Sequence, residues 1–279
     1  GKGCFSNELV LNTGAPQGCV LSPLLFSIYT NEATNNNSIL TLIKFADDMA
    51  LVARLVDEHS LSQYFLYIDS LIHWFDASFL VLNAQKTKEL CFGEKRAQNK
   101  SLLRPVKIND VIVEKVATFK YLGVVLDKDL CFSSHVDSVS KKANQRLYLL
   151  RKLKSFDVSS SILEMVYRSL IESILTFSSI SWFGNLSVKD KSKLIRVIKL
   201  AGKIIGSNQK QLSVLHQKYA KKIAIKILTD SSHPLSEFFQ LLPSGRRFRA
   251  PLAKRNIYKR SFVPYAISIL NGRSEGASP

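Results

Sequence analysis

Apolar positions recur along this chain with two periods, and the change from one to the other divides it. Phe5, Leu9, Val10 and Leu11 predict a short strand over residues 5–12, closed by the turn residues Thr13-Gly14-Ala15-Pro16. Ser22-Pro23 opens an apolar helix running from Leu24 to about Asn31, with proline tolerated in the first turn. Apolar runs at 39–45 and 49–53 flank Ala46-Asp47-Asp48, the pattern of a β-hairpin with an acidic turn. Over 60–75, Leu61, Tyr64, Phe65, Ile68, Leu71, Ile72 and Phe75 fall at spacings of three and four, as on an amphipathic helix. Strands are predicted at 79–82 and 88–92, on either side of Asn83-Ala84-Gln85-Lys86-Thr87. After an exposed polar loop over 93–104, two more follow at 106–113 and 119–126.

From His135 the period becomes helical. Val136, Val139, Ala143, Leu147, Leu150 and Leu153 form one face, with Lys141, Lys142, Arg146 and Lys152 elsewhere. Further helices are expected over 162–177, 187–205 and 212–228. In the second of these, Leu194, Ile198, Ala201 and Ile205 oppose Lys189, Lys193, Arg196, Lys199 and Lys203. After His233-Pro234 the helical signal fades into a basic, proline-punctuated tail. The pattern therefore predicts an α+β protein whose boundary lies near 130–135, where strands give way to basic helices.

Charge sharpens that division. Residues 1–140 hold 13 Lys and Arg against 15 Asp and Glu, whereas 141–279 hold 26 against 7, so the net charge of +17 is −2 in the first half and +19 in the second. A near-neutral half joined to a strongly basic one suggests chemistry in the first and a grip on a polyanion in the second. At 46% hydrophobic the 279 residues can bury a core, which excludes wholesale disorder. Cys4, Cys19, Cys91 and Cys131 contain no CxxC pair, which argues against a zinc site. The longest apolar stretch, 162–183, is broken by Glu164, Arg168 and Glu172 and reads as a buried helix, not a membrane span. The start at Gly1, with no secretion signal, fits a fragment of an intracellular protein.

The candidate chemistry centres on Asp47-Asp48. Two adjacent carboxylates at the tip of a buried hairpin need a partner, and only Lys44 lies near. A divalent cation such as magnesium suits such hard oxygen donors; a solvated turn is the other reading, since Asp favours turns. Gly14-Ala15-Pro16-Gln17-Gly18, about 30 residues earlier, permits close backbone approach to a ligand.

Taken together and in order, these segments resemble a known family. Gly14-Ala-Pro-Gln-Gly-Cys-Val-Leu-Ser-Pro-Leu-Leu-Phe26 is similar to motif B of the reverse transcriptases of non-LTR (LINE-type) retrotransposons. Phe45-Ala46-Asp47-Asp48 resembles their metal-binding motif C, and Leu82-Asn83-Ala84-Gln85-Lys86-Thr87-Lys88 their motif D. Phe119-Lys120-Tyr121-Leu122-Gly123-Val124 resembles the primer-gripping strand where palm meets thumb. Ser232-His233-Pro234-Leu235 and Leu242-Pro243-Ser244-Gly245-Arg246-Arg247 are similar to C-terminal regions of these elements.

The resemblance implies a partial right-hand palm over 1–133, a basic helical thumb or connection over 134–230 and a basic C-terminal tail over 231–279. It implies an RNA-directed DNA polymerase using two Mg2+ ions, with template RNA, primer DNA and deoxynucleoside triphosphates as partners, in the nucleus or cytoplasm and not in a membrane. Asp47 and Asp48 would be metal ligands, and Lys86 either the acid for the leaving pyrophosphate or an ordinary turn lysine. Pro16, Gln17 and Gly18 would line the nucleotide and template pocket. Tyr121, Leu122 and Gly123 would position the primer end or simply pack in a sheet. Arg246, Arg247, Arg249, Lys254, Arg255, Lys259 and Arg260, interleaved with Phe248, Tyr258 and Phe262, would follow a nucleic-acid backbone or form a solvated basic tail. The family's motif A aspartate has no counterpart among the 13 residues before Gly14, and its fingers are missing too. This leaves the chain inactive alone, or a non-catalytic nucleic-acid-binding remnant.

Overall fold

The computed structural model describes residues 18–34, 39–93 and 104–272, so the strand expected over 5–12 lies outside the described residues. The architecture is α+β, mixing helices with two-stranded sheets. The chain divides into two compact units, Gly1–Glu89 with Ala97–Glu114 and Leu90–Arg96 with Lys115–Pro279.

In the first unit α1 (Leu21–Tyr29) starts three residues before the predicted Leu24, with Pro23 among the first four residues, whose N–H groups have no intrahelical partner. Strands β1 (Leu40–Phe45) and β2 (Asp48–Ala53) pair antiparallel, from Leu40 opposite Ala53 to Phe45 opposite Asp48. The two-residue side-chain period puts Leu40, Leu42, Lys44, Met49, Leu51 and Ala53 on one face. Leu51 from that face packs against Phe65 and Ile68 of α2 (Glu58–Ala77) and Val106, Ile108 and Val113. A capping box starts α2: Asp57 Oδ1 accepts from the Ser60 amide at 2.8 Å, and Ser60 Oγ accepts from the Asp57 amide at 3.0 Å.

Two predicted strands of this unit resolve differently. Residues 79–82 form no strand, because α2 unwinds through them: the Phe79 amide bonds Asp76 O, the Leu80 amide bonds Phe75 O, and Phe79 takes a left-handed φ of 53°. The strand expected over 88–92 shrinks to β3 (Lys88–Glu89). The single strand expected over 106–113 is a small hairpin, β4 (Lys107–Ile108) and β5 (Val111–Ile112). Asn109 and Asp110 turn it with φ of 47° and 63°, two residue types that tolerate this conformation.

The second unit follows a short strand, β6 (Glu114–Lys115), and begins with the hairpin β7 (Thr118–Tyr121) and β8 (Val124–Asp127), so the strand expected over 119–126 is folded in two. Asp127 joins this hairpin to α3 (Ser133–Lys154). Its carboxylate accepts from the Asp129, Cys131 and Phe132 amides at 3.1, 3.0 and 2.6 Å. The helix expected over 162–177 is α4 (Ser160–Tyr167) and α5 (Ser173–Thr176), joined by a π-turn, Arg168–Glu172. Arg146 of α3 donates to the Leu170 carbonyl within that π-turn at 2.5 Å, satisfying a group of the disturbed helical ladder.

Next come α6 (Ser179–Trp182), a 3-10 turn at Phe183–Asn185, α7 (Val188–Ile205) and α8 (Leu212–Thr229). Ser187 caps α7 through the Asp190 amide, and Gly206 ends it in the left-handed conformation. Val136, Ala143, Leu147 and Leu150 of α3 pack with Leu163, Tyr167, Trp182, Leu194 and Ala201 in one buried cluster. The basic stretch after His233 also folds, with α9 (Asn256–Lys259) and α10 (Phe262–Leu270). Phe239, Ala266 and Ile267 close over Ala224 and Ile227 of α8.

This last packing buries His216 of α8 between the rings of Phe183 and Tyr265, each 4.8 Å away. Desolvation, aided by Lys191, lowers its pKa to about 4 from an ordinary 6.5. The folded state therefore favours the neutral ring, and stability is complete above pH 6.5 and falls as pH drops from 6.5 towards 4. Denaturant unfolding of the wild type should lose about 3 kcal/mol across that window. In His216→Phe, that part of the slope should vanish.

Candidate metal and nucleic-acid site

Ala46 and Asp47 form the two-residue turn between β1 and β2, and Ala46 takes a φ of 52°. Asp48 opens β2 opposite Phe45. Both carboxylates are exposed, so the expected tip of a buried hairpin is a solvated one, and no burial cost demands a counter-charge. Lys44, the cation nearest in sequence, points elsewhere. Its Nζ donates to the carbonyls of Thr30 and Asn31 at 2.7 and 3.5 Å, at the C-terminal end of α1, where helix polarity favours a cation. The pleat explains the separation: Lys44 lies on the inner face, while Asp48 shares the outer face with Ile43, Phe45 and Val52, themselves 46%, 62% and 51% exposed.

Among the described residues neither carboxylate has an ion-pair partner, and no group of three or more His, Cys, Asp or Glu converges. Two adjacent, uncompensated carboxylates fit part of the coordination shell of a hard divalent cation such as magnesium, which commonly uses one or two. No described third acid adds to it.

Lys86 sits exposed in a turn built by Asn83, whose side-chain oxygen and carbonyl accept from the Lys86 amide at 3.0 and 3.2 Å. It makes no ion pair with Asp47 or Asp48. Of the predicted pocket residues, Pro16 and Gln17 lie outside the described residues, and Gly18 is exposed with a φ of 83°. Tyr121, Leu122 and Gly123 belong to the second unit. Leu122 and Gly123, at φ of 44° and 89°, make the tight turn between β7 and β8. A methyl group on Gly123 would meet the Phe177 ring at 2.9 Å, so this glycine is required by conformation and by space.

The seven C-terminal cations are all exposed. Arg246, Arg247 and Arg249 ride on a small hairpin: the Leu242 amide bonds Arg247 O at 2.8 Å, and the Arg249 amide bonds Gln240 O at 2.7 Å. Asn271, which sequence reasoning missed, fixes that hairpin from the end of α10. Its side chain accepts from the Phe248 amide at 2.8 Å and donates to the Phe248 carbonyl at 2.9 Å, as a neighbouring strand would. Nothing in a lone Asn near a chain end signals this pairing.

Residues 2–126 match the family described as reverse transcriptase (RNA-dependent DNA polymerase). The relatives agree. A probable RNA-directed DNA polymerase from transposon BS of Drosophila melanogaster is 31% identical over 168 residues, covering 54% of this chain and 17% of that protein. The RNA-directed DNA polymerase from mobile element jockey of Drosophila funebris is 27% identical over 221 residues, covering 74% and 23%. That from transposon X-element of D. melanogaster, a probable one, is 30% identical over 178 residues, covering 60% and 19%.

Over residues 2–126 the chain resembles reverse transcriptases, and the relatives it matches come from mobile elements.

It spans about a fifth of the length of these curated relatives. Residues 132–173 also match a second family, the N-terminal region of alkylated DNA repair protein alkB homolog 8. No solved structure matches the chain. Among the described residues, no helix is long and apolar enough to cross a membrane.

The turn at Gly123 gives a direct test. Gly123→Ala adds a left-handed alanine and a clash with Phe177, and should cost about 1–3 kcal/mol in denaturant unfolding. Pairing it with Phe177→Ala should recover the steric part and leave the conformational part.

Proposed function

We propose that this chain supplies the motif C carboxylates and the primer-side elements of an RNA-directed DNA polymerase. The observation that carries the proposal is the turn itself. Asp47 and Asp48 stand side by side, with no ion-pair partner among the described residues and with Lys44 engaged by α1, within the span that matches the reverse transcriptase family. On this reading residues 1–133 form part of a right-hand palm, 134–230 a helical thumb or connection, and 231–279 a basic C-terminal region.

The reaction joins the 3′ oxygen of primer DNA to the α-phosphorus of a deoxynucleoside triphosphate on template RNA, and pyrophosphate leaves. Asp47 and Asp48 would hold Mg2+, which, when bound, neutralises charge on the reacting phosphates. Lys86 would give a proton to the leaving pyrophosphate oxygen. Pro16, Gln17 and Gly18 would line the nucleotide and template pocket, and Tyr121, Leu122 and Gly123 would orient the primer end. Arg246, Arg247, Arg249, Lys254, Arg255, Lys259 and Arg260 would lie along the nucleic-acid backbone. With two carboxylates and no described third acid, cation affinity should be weak, because ligand number and preorganisation set it. A nuclear or cytoplasmic site of action accords with such substrates.

A second reading, nucleic-acid binding without catalysis, is favoured by the placement of charge, since 141–279 carry 26 basic residues against 7 acidic ones.

Two measurements separate these readings. Paramagnetic Mn2+ titrated into the labelled chain should broaden the amide signals around Asp47 and Asp48, and Asp47→Asn should abolish the effect. Equal broadening in both would dismiss the metal site. DNA-primer extension on an RNA template that disappears in Asp47→Ala supports polymerase activity, whereas identical background in wild type and variant supports binding alone.

A further inference from the structure

The cations of α7 are of two kinds. Lys193 is used inside the protein: it bridges Asp137 of α3 at 2.5 Å and Asp190 at 3.1 Å. Lys191 lies over the Phe183 ring, 5.1 Å from its centre. Lys189, Arg196, Lys199 and Lys203 are all exposed and form no ion pair among the described residues. At about 100° per residue these four fall within about 80° of one another, on the side opposite Leu194, Ile198, Ala201 and Ile205, which are buried. They form one straight stripe about 21 Å long, from about 1.5 Å of rise per residue. The helix's only acid, Asp190, is buried and hydrogen-bonded to Ser133 and Ser187, so no carboxylate of α7 neutralises the stripe.

Stability does not call for this arrangement. Lys189 stands in the first turn, where the positive end of the helix opposes a cation. A row of like charges along one line also repels itself.

We propose that the stripe Lys189–Arg196–Lys199–Lys203 is a second nucleic-acid surface, which holds successive phosphates of one strand. It extends the nucleic-acid reading above to residues remote in sequence from the C-terminal arginines, and it does not need Asp47 or Asp48 to hold metal. Duplex DNA carries one charge per about 3.4 Å of axis on each strand, so 21 Å faces about six phosphates, enough to engage all four cations. A membrane surface fits less well. A helix lying on lipid must turn its apolar face outward, and the apolar face of α7 is packed in the core.

The test uses the full chain and a labelled, unstructured 20-nucleotide RNA, with affinity measured by anisotropy across a KCl series. A 20-base-pair DNA duplex, run in parallel, shows which form of backbone is preferred. The variant R196Q/K199Q/K203Q replaces exposed side chains with a good helix former and should keep the wild-type melting temperature. Removing three contacts should flatten the slope of log K against log salt by about 2 on RNA and weaken binding about a hundredfold at about 0.1 M salt. The charge-matched control K218Q/K221Q/K222Q, on exposed positions of α8, should lose less than half as much.

Equal loss in the control would show diffuse attraction and overturn the stripe. So would an unchanged slope in the α7 variant, or unchanged RNA binding combined with lost binding to phosphatidylserine vesicles. Wild-type protein that binds neither RNA nor DNA would remove the nucleic-acid reading altogether, whereas a failure confined to the α7 variant leaves that reading and the metal site standing.

Discussion

The first unit is organised by where one ammonium group goes. Lys44 reaches back to the carbonyls that end α1, and in doing so it ties the β1–β2 hairpin to that helix. Had the strand been shifted by one residue, the lysine would lie on the same face as Asp48, and an internal ion pair would have become available. The observed register instead sends cation and carboxylates to opposite faces. Among the described residues the acidic turn is therefore left without a counter-charge.

Helices and the β1–β2 hairpin were largely legible in the sequence, and the other strands were not. The faces of α2, α3, α7 and α8 follow directly from apolar residues at spacings of three and four, and their ends fall within a few residues of expectation. The strands failed at residues in left-handed conformations. Phe79, Asn109, Asp110 and Leu122 all have positive φ, and only Asn and Asp advertise that tendency in sequence. A run such as Phe119–Leu126 looks continuous because Leu122 is apolar, yet the chain reverses there around Gly123. The candidate site shows the same division. Asp47 and Asp48 were recognisable from their neighbours in sequence, whereas their exposure, the engagement of Lys44 and the role of Asn271 depend on contacts between distant segments.

The second unit shows why net charge is a coarse guide. Some of its cations are structural: Arg146 completes the π-turn, Lys193 pins α7 to α3, and Lys191 covers an aromatic ring. Others, such as Arg196 and Lys199, form no ion pair among the described residues. A surplus of +19 in residues 141–279 is therefore two populations, and geometry alone separates them.

The path of the C-terminal segment is set by a missing carbon atom. At Gly184 a methyl group would stand 2.1 Å from the Arg260 carbonyl oxygen, so the backbone between α9 and α10 passes where no side chain fits. That close passage leads into α10, whose Ala266 and Ile267 roof Ala224 and Ile227. Shortening the chain before Phe262 would strip the cover from an apolar strip of α8, and the trimmed protein would face the solubility problem of any newly bared core.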